Sequence, residues 1–201
     1  MIRITIFCFI SLAPILGKTQ QATTTLSQFR VAENSIQKKG MTVLAGWGGA
    51  NIITGAYYSG RTSGPTKYFH QMNMYWGIIN GVLGGSALLR LPAAKSKQLS
   101  FVEAIKEQQT LEKTFLFNAG LDLAYIASGI AFKESSKNNL EKRDRRLGYG
   151  NSLLLQGGFL LLFDGLMYTI IQKNGKPLHK ILEQVNFSLA SNQASLLVRL
   201  Q

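Results

Sequence analysis

Long uncharged stretches alternate with short charged ones along this chain. Residues 41–59 (MTVLAGWGGANIITGAYYS) contain no charged side chain, and 70–91 (HQMNMYWGIINGVLGGSALLRL) none before Arg90. Residues 114–132 (TFLFNAGLDLAYIASGIAF) are interrupted only by Asp122, and 147–171 (LGYGNSLLLQGGFLLLFDGLMYTII) only by Asp164. Wound as α-helix at about 1.5 Å per residue, each stretch can cross the ~30 Å of hydrocarbon in a bilayer. The first two lack the lengthwise polar face that a helix of a soluble bundle presents to water. The pattern predicts an all-α fold: a polytopic membrane four-helix bundle made of two helical hairpins. Most tyrosines, Tyr57, Tyr58, Tyr68, Tyr75, Tyr149 and Tyr168 among them, fall towards the ends of these stretches, as interfacial aromatics do.

The flanks complete the expected organisation. Residues 1–22 carry Arg3 followed by an apolar run from Ile4 to Leu16, the form of a signal peptide, with an uncleaved anchor as the alternative. Residues 23–40 form a polar segment in which Leu26, Phe29, Ala32 and Ile36 recur at helical spacing, the pattern of an amphipathic surface helix. The link 92–113 follows Pro92, and Ser100 with Glu103 has capping-box spacing, so a helix can begin at Phe101 and run unbroken into the third stretch. The link 133–146 (KESSKNNLEKRDRR) is strongly charged and aqueous. In the tail 172–201, Pro177 suits the first turn of a new amphipathic helix striped by Leu178, Ile181, Leu182, Val185 and Leu189. The strings ANIITGAYY and AYIASGIAF occupy matching places in the first and third stretches, a short internal repeat.

Charge changes this picture little. The net charge is +12. The basic residues lie mainly between apolar stretches, where they can face headgroups, and no nucleic-acid-binding motif accompanies them, so nucleic acid is not an expected partner. A signal peptide would place the links 59–69 and 133–146 in the cytoplasm. The basic residues outside those links outnumber those within them, although 142–146 is the densest cluster. The count therefore conflicts with the signal-peptide orientation, and the orientation stays open. The only cysteine, Cys8, sits in the N-terminal apolar run, which removes disulfides from consideration if that run is cleaved.

Polar side chains in hydrocarbon are costly and need a reason. Each stretch gathers its own on one helical stripe: Trp47, Asn51, Thr54 and Tyr58; His70, Asn73, Gly77, Asn80 and Gly84; Asn118, Asp122, Tyr125 and Gly129; and Gly157, Asp164 and Tyr168, edged by Gln156. These faces are expected to meet one another. The candidate intramembrane polar site is Asp122, Asp164, Asn51, Asn80, Gln156 and Asn118. Counted by depth, Asn51, Asn80, Asp122 and Gln156 form one layer, with Asp164 about 9 Å away along the axis. His70 and Asn73 are the candidate interfacial site. Interhelical hydrogen bonding accounts for the amides; the two carboxyl groups admit either a neutral structural role or a proton-relay or ligand role. No nucleophile elbow, P-loop, HExxH or metal-ligand spacing occurs, so neither a catalytic set nor a metal or cofactor is expected.

The strings KYFHQMNMYWGIINGVLGG (67–85) and LLLQGGFLLLFDGLMY (153–168), through MN-x-x-W and QGG-x-L-x-x-x-D, resemble those of a family of small bacterial four-helix membrane proteins known only as a domain of unknown function. The resemblance implies four spans and an export signal, and no activity. The sequence thus favours a non-enzymatic component of a bacterial envelope complex, multi-pass in the inner membrane, with the bilayer and further protein chains, copies of itself or others, as partners. The alternative is a small proton-coupled carrier or channel, or a lipid- or quinone-binding membrane enzyme, using the intramembrane Asp residues.

Overall fold

The computed structural model describes residues 13–96, 99–138 and 140–199, and side chains over 24–92, 99–138 and 140–183. Four helices make up the described chain, with no strand: α1 (Ala13–Ser59), α2 (Gly64–Ser96), α3 (Phe101–Ser135) and α4 (Arg143–Arg199). Two segments, Phe101–Ser135 and Arg143–Glu183, are long and apolar enough to cross a membrane. Cys8 and most of the apolar run of the expected export signal lie outside the described residues; from Ala13 onward α1 is continuous.

Local chemistry sets several of the boundaries. Ser100 caps α3 with its hydroxyl accepting from the Glu103 N–H, while the Glu103 carboxylate accepts from the Ser100 N–H at 2.9 Å. Two orphan donors of the first turn are thereby satisfied, as the sequence spacing predicts. The short link from α1 to α2 turns at Gly64, whose φ of +57° suits a residue without Cβ.

The helices outrun the stretches that predict them. Residues 23–40 do not lie apart as a surface helix; they continue α1, with Phe29 buried and Ile36 packed on the core. Neither proline ends a helix. Pro92 lies inside α2 and Pro177 inside α4, so no new helix starts in the tail. A proline removes one backbone hydrogen bond, and packing can outweigh that loss. Directly after Pro177, Leu178 is fully buried against Phe29, Ala104 and Ile105. Val185 and Leu189 of the expected tail stripe lie outside the described side chains.

Glycine fixes how the helices pair. α1 and α2 run antiparallel in backbone contact: a Cβ on Gly77 would stand 2.7 Å from Gly48 O and from Ile52 N, and one on Gly55 would stand 2.7 Å from His70 O and 2.8 Å from Met74 N. α3 and α4 repeat this register. A Cβ on Gly157 would meet Asp122 O at 3.0 Å and Ile126 N at 3.1 Å, and one on Gly129 would meet Gly150 O at 2.9 Å and Leu154 N at 3.1 Å. A shift of 74 residues carries Gly48, Ile52 and Gly55 onto Asp122, Ile126 and Gly129; a shift of 80 carries His70, Met74 and Gly77 onto Gly150, Leu154 and Gly157. The internal repeat of the sequence is thus a repeat of packing. α1 and α3 run parallel, as do α2 and α4, so the repeat relates the two pairs by an approximate two-fold axis along the bundle, broken where α1 packs on α4 and α2 does not pack on α3.

At one end α1, α3 and α4 extend past the pairing region into a three-helix stalk. Its core is Phe29, Ala104, Ile105 and Leu178, flanked by Leu26, Phe101 and Leu182. Gln108, wholly buried, donates to Ile171 O at 2.6 Å and to Glu112 at 2.7 Å, and its side chain fills the space left by Gly175. Arg30 bridges Glu33 and Glu107, 3.1 Å from each carboxylate.

Glu33 carries a specific cost. Its side chain is 2% exposed and its Oε1 has no hydrogen-bond partner. Burial, and secondarily the Glu107 charge, push its carboxyl up to about 7 against the opposing pull of Arg30. A carboxyl raised in the folded state adds stability that is complete below its ordinary value near 4.5 and is lost as pH rises through about 7. The purified protein in detergent is expected to melt at a higher temperature at pH 5 than at pH 8, and Glu33→Gln to remove most of that difference. An unchanged pH dependence in Glu33→Gln contradicts this assignment.

Candidate functional site

The polar side chains of the pairing region form two clusters rather than one layer. The first centres on Gln156 of α4. Its Nε2 donates to Asn51 Oδ1 on α1 at 2.9 Å and to Asn73 Oδ1 on α2 at 3.0 Å, and its Oε1 accepts from Trp47 Nε1 at 2.8 Å. Ser152 donates to the same Asn73 oxygen at 2.6 Å, and Asn51 Nδ2 donates back to Trp47 O at 2.8 Å. Asn51, Asn73, Ser152 and Gln156 are all buried. The Trp47 ring stacks on Phe159 at 4.0 Å and covers the cluster. Three helices are thus joined through one amide with its donors and acceptor used.

The second cluster is Asp122 of α3 with Asp164 of α4, both buried and close enough to interact. Asp122 Oδ2 is buried without a hydrogen-bond partner. Depth counting separates the two acids because Asp122 lies level with Gly157 and Asp164 is two turns further along α4. The side chains close that gap. In a helix each Cβ leans towards the N-terminus, so on antiparallel neighbours these two lean towards each other.

Asp122 and Asp164 stand on the wall of a cavity of about 210 Å³, which Asn80, Asn118, Trp76 and Tyr125 also line, together with Leu44, Ile79, Leu83, Leu121, Leu160 and Phe163. It opens between α2 and α3, which do not pack backbone to backbone as the other neighbours do. Ile79, Leu83 and Leu121 at its edge are exposed. Trp76 Nε1 and Asn80 Nδ2 are buried with no partner.

These positions bring together most of the sequence-predicted residues and regroup them. Asn51 and Gln156 meet, whereas Asn80, Asn118, Asp122 and Asp164 belong to the cavity. Asn73, expected at the interface beside His70, is 4% exposed inside the Gln156 cluster. His70 is half-buried against Tyr58, with rings 5.0 Å apart, and joins neither cluster. Sequence reasoning missed Ser152 and Trp76. Ser152 sits one turn before Gln156, and Trp76 one turn before Asn80, spacings that place each on its neighbour's face. Among the described residues no group of three or more His, Cys, Asp or Glu side chains is placed to hold a metal ion.

Gln156→Leu strands Trp47 Nε1 and Asn51 Oδ1 in the interior. Each orphaned group costs about 1–3 kcal/mol, so unfolding in mixed detergent is expected to show a loss in that range or above. Asn118→Leu, on the half-exposed cavity wall, is expected to change stability by less than about 0.5 kcal/mol. Equal effects of the two substitutions contradict the central place given to Gln156.

No curated protein and no solved structure matches the chain. A family model does, over residues 43–165, the segment that holds the glycine contacts between paired helices and every residue of both polar clusters. The chain belongs to a family of unknown function, DUF6992.

Proposed function

We propose that the chain is a four-span integral membrane protein of the bacterial inner membrane, its spans forming two hairpins, and that it serves as a non-enzymatic component of an envelope assembly. One observation carries the membrane reading: a belt of apolar side chains faces outward around a core that holds buried polar groups beside its apolar ones. Asn51, Asn73, Asn80, Gln156, Asp122 and Asp164 are buried, while Val43, Ile53, Ile78, Val82, Phe117, Leu123, Leu162 and Leu166 are exposed around them. All four helices contribute to that exposed apolar belt, including α1 and α2, whose composition alone is less apolar. Water would not support such a surface, and hydrocarbon does.

The stalk supports the assembly reading. Crossing a bilayer takes about 20 residues, and α1 has 47 and α4 has 57. The surplus packs around a core of its own, Phe29, Ala104, Ile105 and Leu178, which insertion alone does not require. Native mass spectrometry of the protein extracted from its own host membrane in mild detergent tests this. The expected result is a defined complex with further protein chains, whether copies of this chain or others; a lone monomer at every detergent concentration contradicts it.

A second reading is favoured by a separate observation, the carboxyl pair on the wall of an open cavity. It is the binding or transfer of a small molecule at Asp122 and Asp164, as in a carrier or a lipid- or quinone-binding protein.

A further inference from the structure

The two-fold repeat allows the two sides of the bundle to be compared residue by residue. On the α1–α4 side, Asn51 and Gln156 hydrogen-bond at 2.9 Å, and Trp47 stacks on Phe159 at 4.0 Å to seal the interface. The same shifts of 74 and 80 carry Asn51 and Trp47 onto Tyr125 and Leu121, and Gln156 and Phe159 onto Trp76 and Ile79. On that α2–α3 side Trp76 meets Tyr125 edge to face at 4.8 Å. No seal follows: Leu121 is 38% and Ile79 49% exposed at the rim of the 210 Å³ cavity. One side is closed by aromatic stacking and amide bonding. Its counterpart is open and leaves two buried donors unused.

From this we infer that the open side is a lateral binding site for a neutral, lipid-soluble molecule with a compact carbonyl-type head, entering from the bilayer between α2 and α3. The proposal rests on the second reading above and names its ligand class.

Four features fix that class. The indole N–H of Trp76 can only donate, and Asn80 Nδ2 donates beside it one turn along α2; both are buried without partners and line the cavity. A ligand oxygen that accepts from both satisfies them. The head is neutral, because no Lys or Arg lines the cavity to hold a carboxylate or phosphate beside the acidic pair, and an ammonium offers no acceptor to Trp76 and Asn80. It is compact, because the cavity measures only about 210 Å³. Its body is apolar, because the rim consists of Ile79, Leu83 and Leu121. Ring ketones such as quinones and the ester carbonyls of neutral glycerides share this chemistry.

The test uses the full chain in nanodiscs and a scintillation proximity assay with three tritiated probes: an alkyl benzoquinone, a monoacylglycerol and oleate. Saturable binding of the quinone or the glyceride is expected, and whichever binds identifies the source of the carbonyl. Trp76→Phe and Asn80→Leu are each expected to weaken it at least tenfold. Asn80→Leu places at this position the side chain that Leu160 supplies in the other repeat, so folding is retained. The double variant Ile79→Phe with Leu121→Trp rebuilds the Phe159–Trp47 seal on the open side, and is expected to abolish binding without lowering the melting temperature. Oleate binding as tight as that of the neutral probes overturns the ligand class, as does binding indifferent to Trp76 and Asn80. Mass spectrometry of molecules retained from the host membrane separates the remaining failures. A retained charged molecule overturns the class and leaves the second reading standing; no retained molecule and no probe binding overturn both.

Discussion

Backbone-to-backbone contact at glycine is the constraint on which this structure depends. At Gly48, Gly55, Gly77 and Gly84 in one helix pair, and at Gly129, Gly150 and Gly157 in the other, a single added carbon would stand in the neighbouring helix. Such close approach fixes register to within a residue, because a sliding helix would bring a larger side chain to the contact. Other glycines, Gly46, Gly49, Gly120 and Gly158 among them, face open space and carry no such requirement. Under the shifts of 74 and 80, Gly55 and Gly77 of the first pair match Gly129 and Gly157 of the second, so one packing solution is used twice.

Reuse of the same backbone geometry frees the side chains to diverge. Around the axis, Leu44 corresponds to Asn118, Asn80 to Leu160, and Gly48 and Gly84 to Asp122 and Asp164. One half therefore brings both carboxyl groups, while the glycines at their counterpart positions let the backbones of α1 and α2 close on each other. The Gln156 cluster ties α1, α2 and α4 together with its hydrogen bonds satisfied, which makes it a structural knot. The cavity beside Trp76 has the opposite character, with donors unused and a rim of exposed aliphatic side chains. Stability and ligand chemistry thus sit on opposite sides of one repeat.

Much of the helical architecture is legible in the sequence, for physical reasons that can be traced. The Ser100–Glu103 capping box marks the start of α3 because the bonds that define it are local. The polar stripes predict which faces meet because helical periodicity is a property of the chain alone. The helix boundaries read at Pro92 and Pro177 are misplaced, since both prolines lie inside helices; at Pro177 packing outweighs the lost bond, as Leu178 shows against Phe29. The division of the polar residues into two clusters is hidden for a similar reason. It depends on how Asp122 and Asp164 lean towards each other and on Asn73 facing Ser152, which residue counting along separate helices does not reveal. The open side is legible only by comparing the two repeats once their register is known.

On the function proposed for this bundle, its apolar belt faces lipid on all four helices. Nitroxide labels at Ile53, Ile78, Leu123 and Leu162, one on each helix, test it by electron paramagnetic resonance in liposomes. All four are expected to relax with oxygen, which concentrates in hydrocarbon, and to be shielded from a water-soluble nickel chelate. Labels on α1 and α2 that relax with the chelate while those on α3 and α4 do not would contradict it, and would leave a two-span protein in its place.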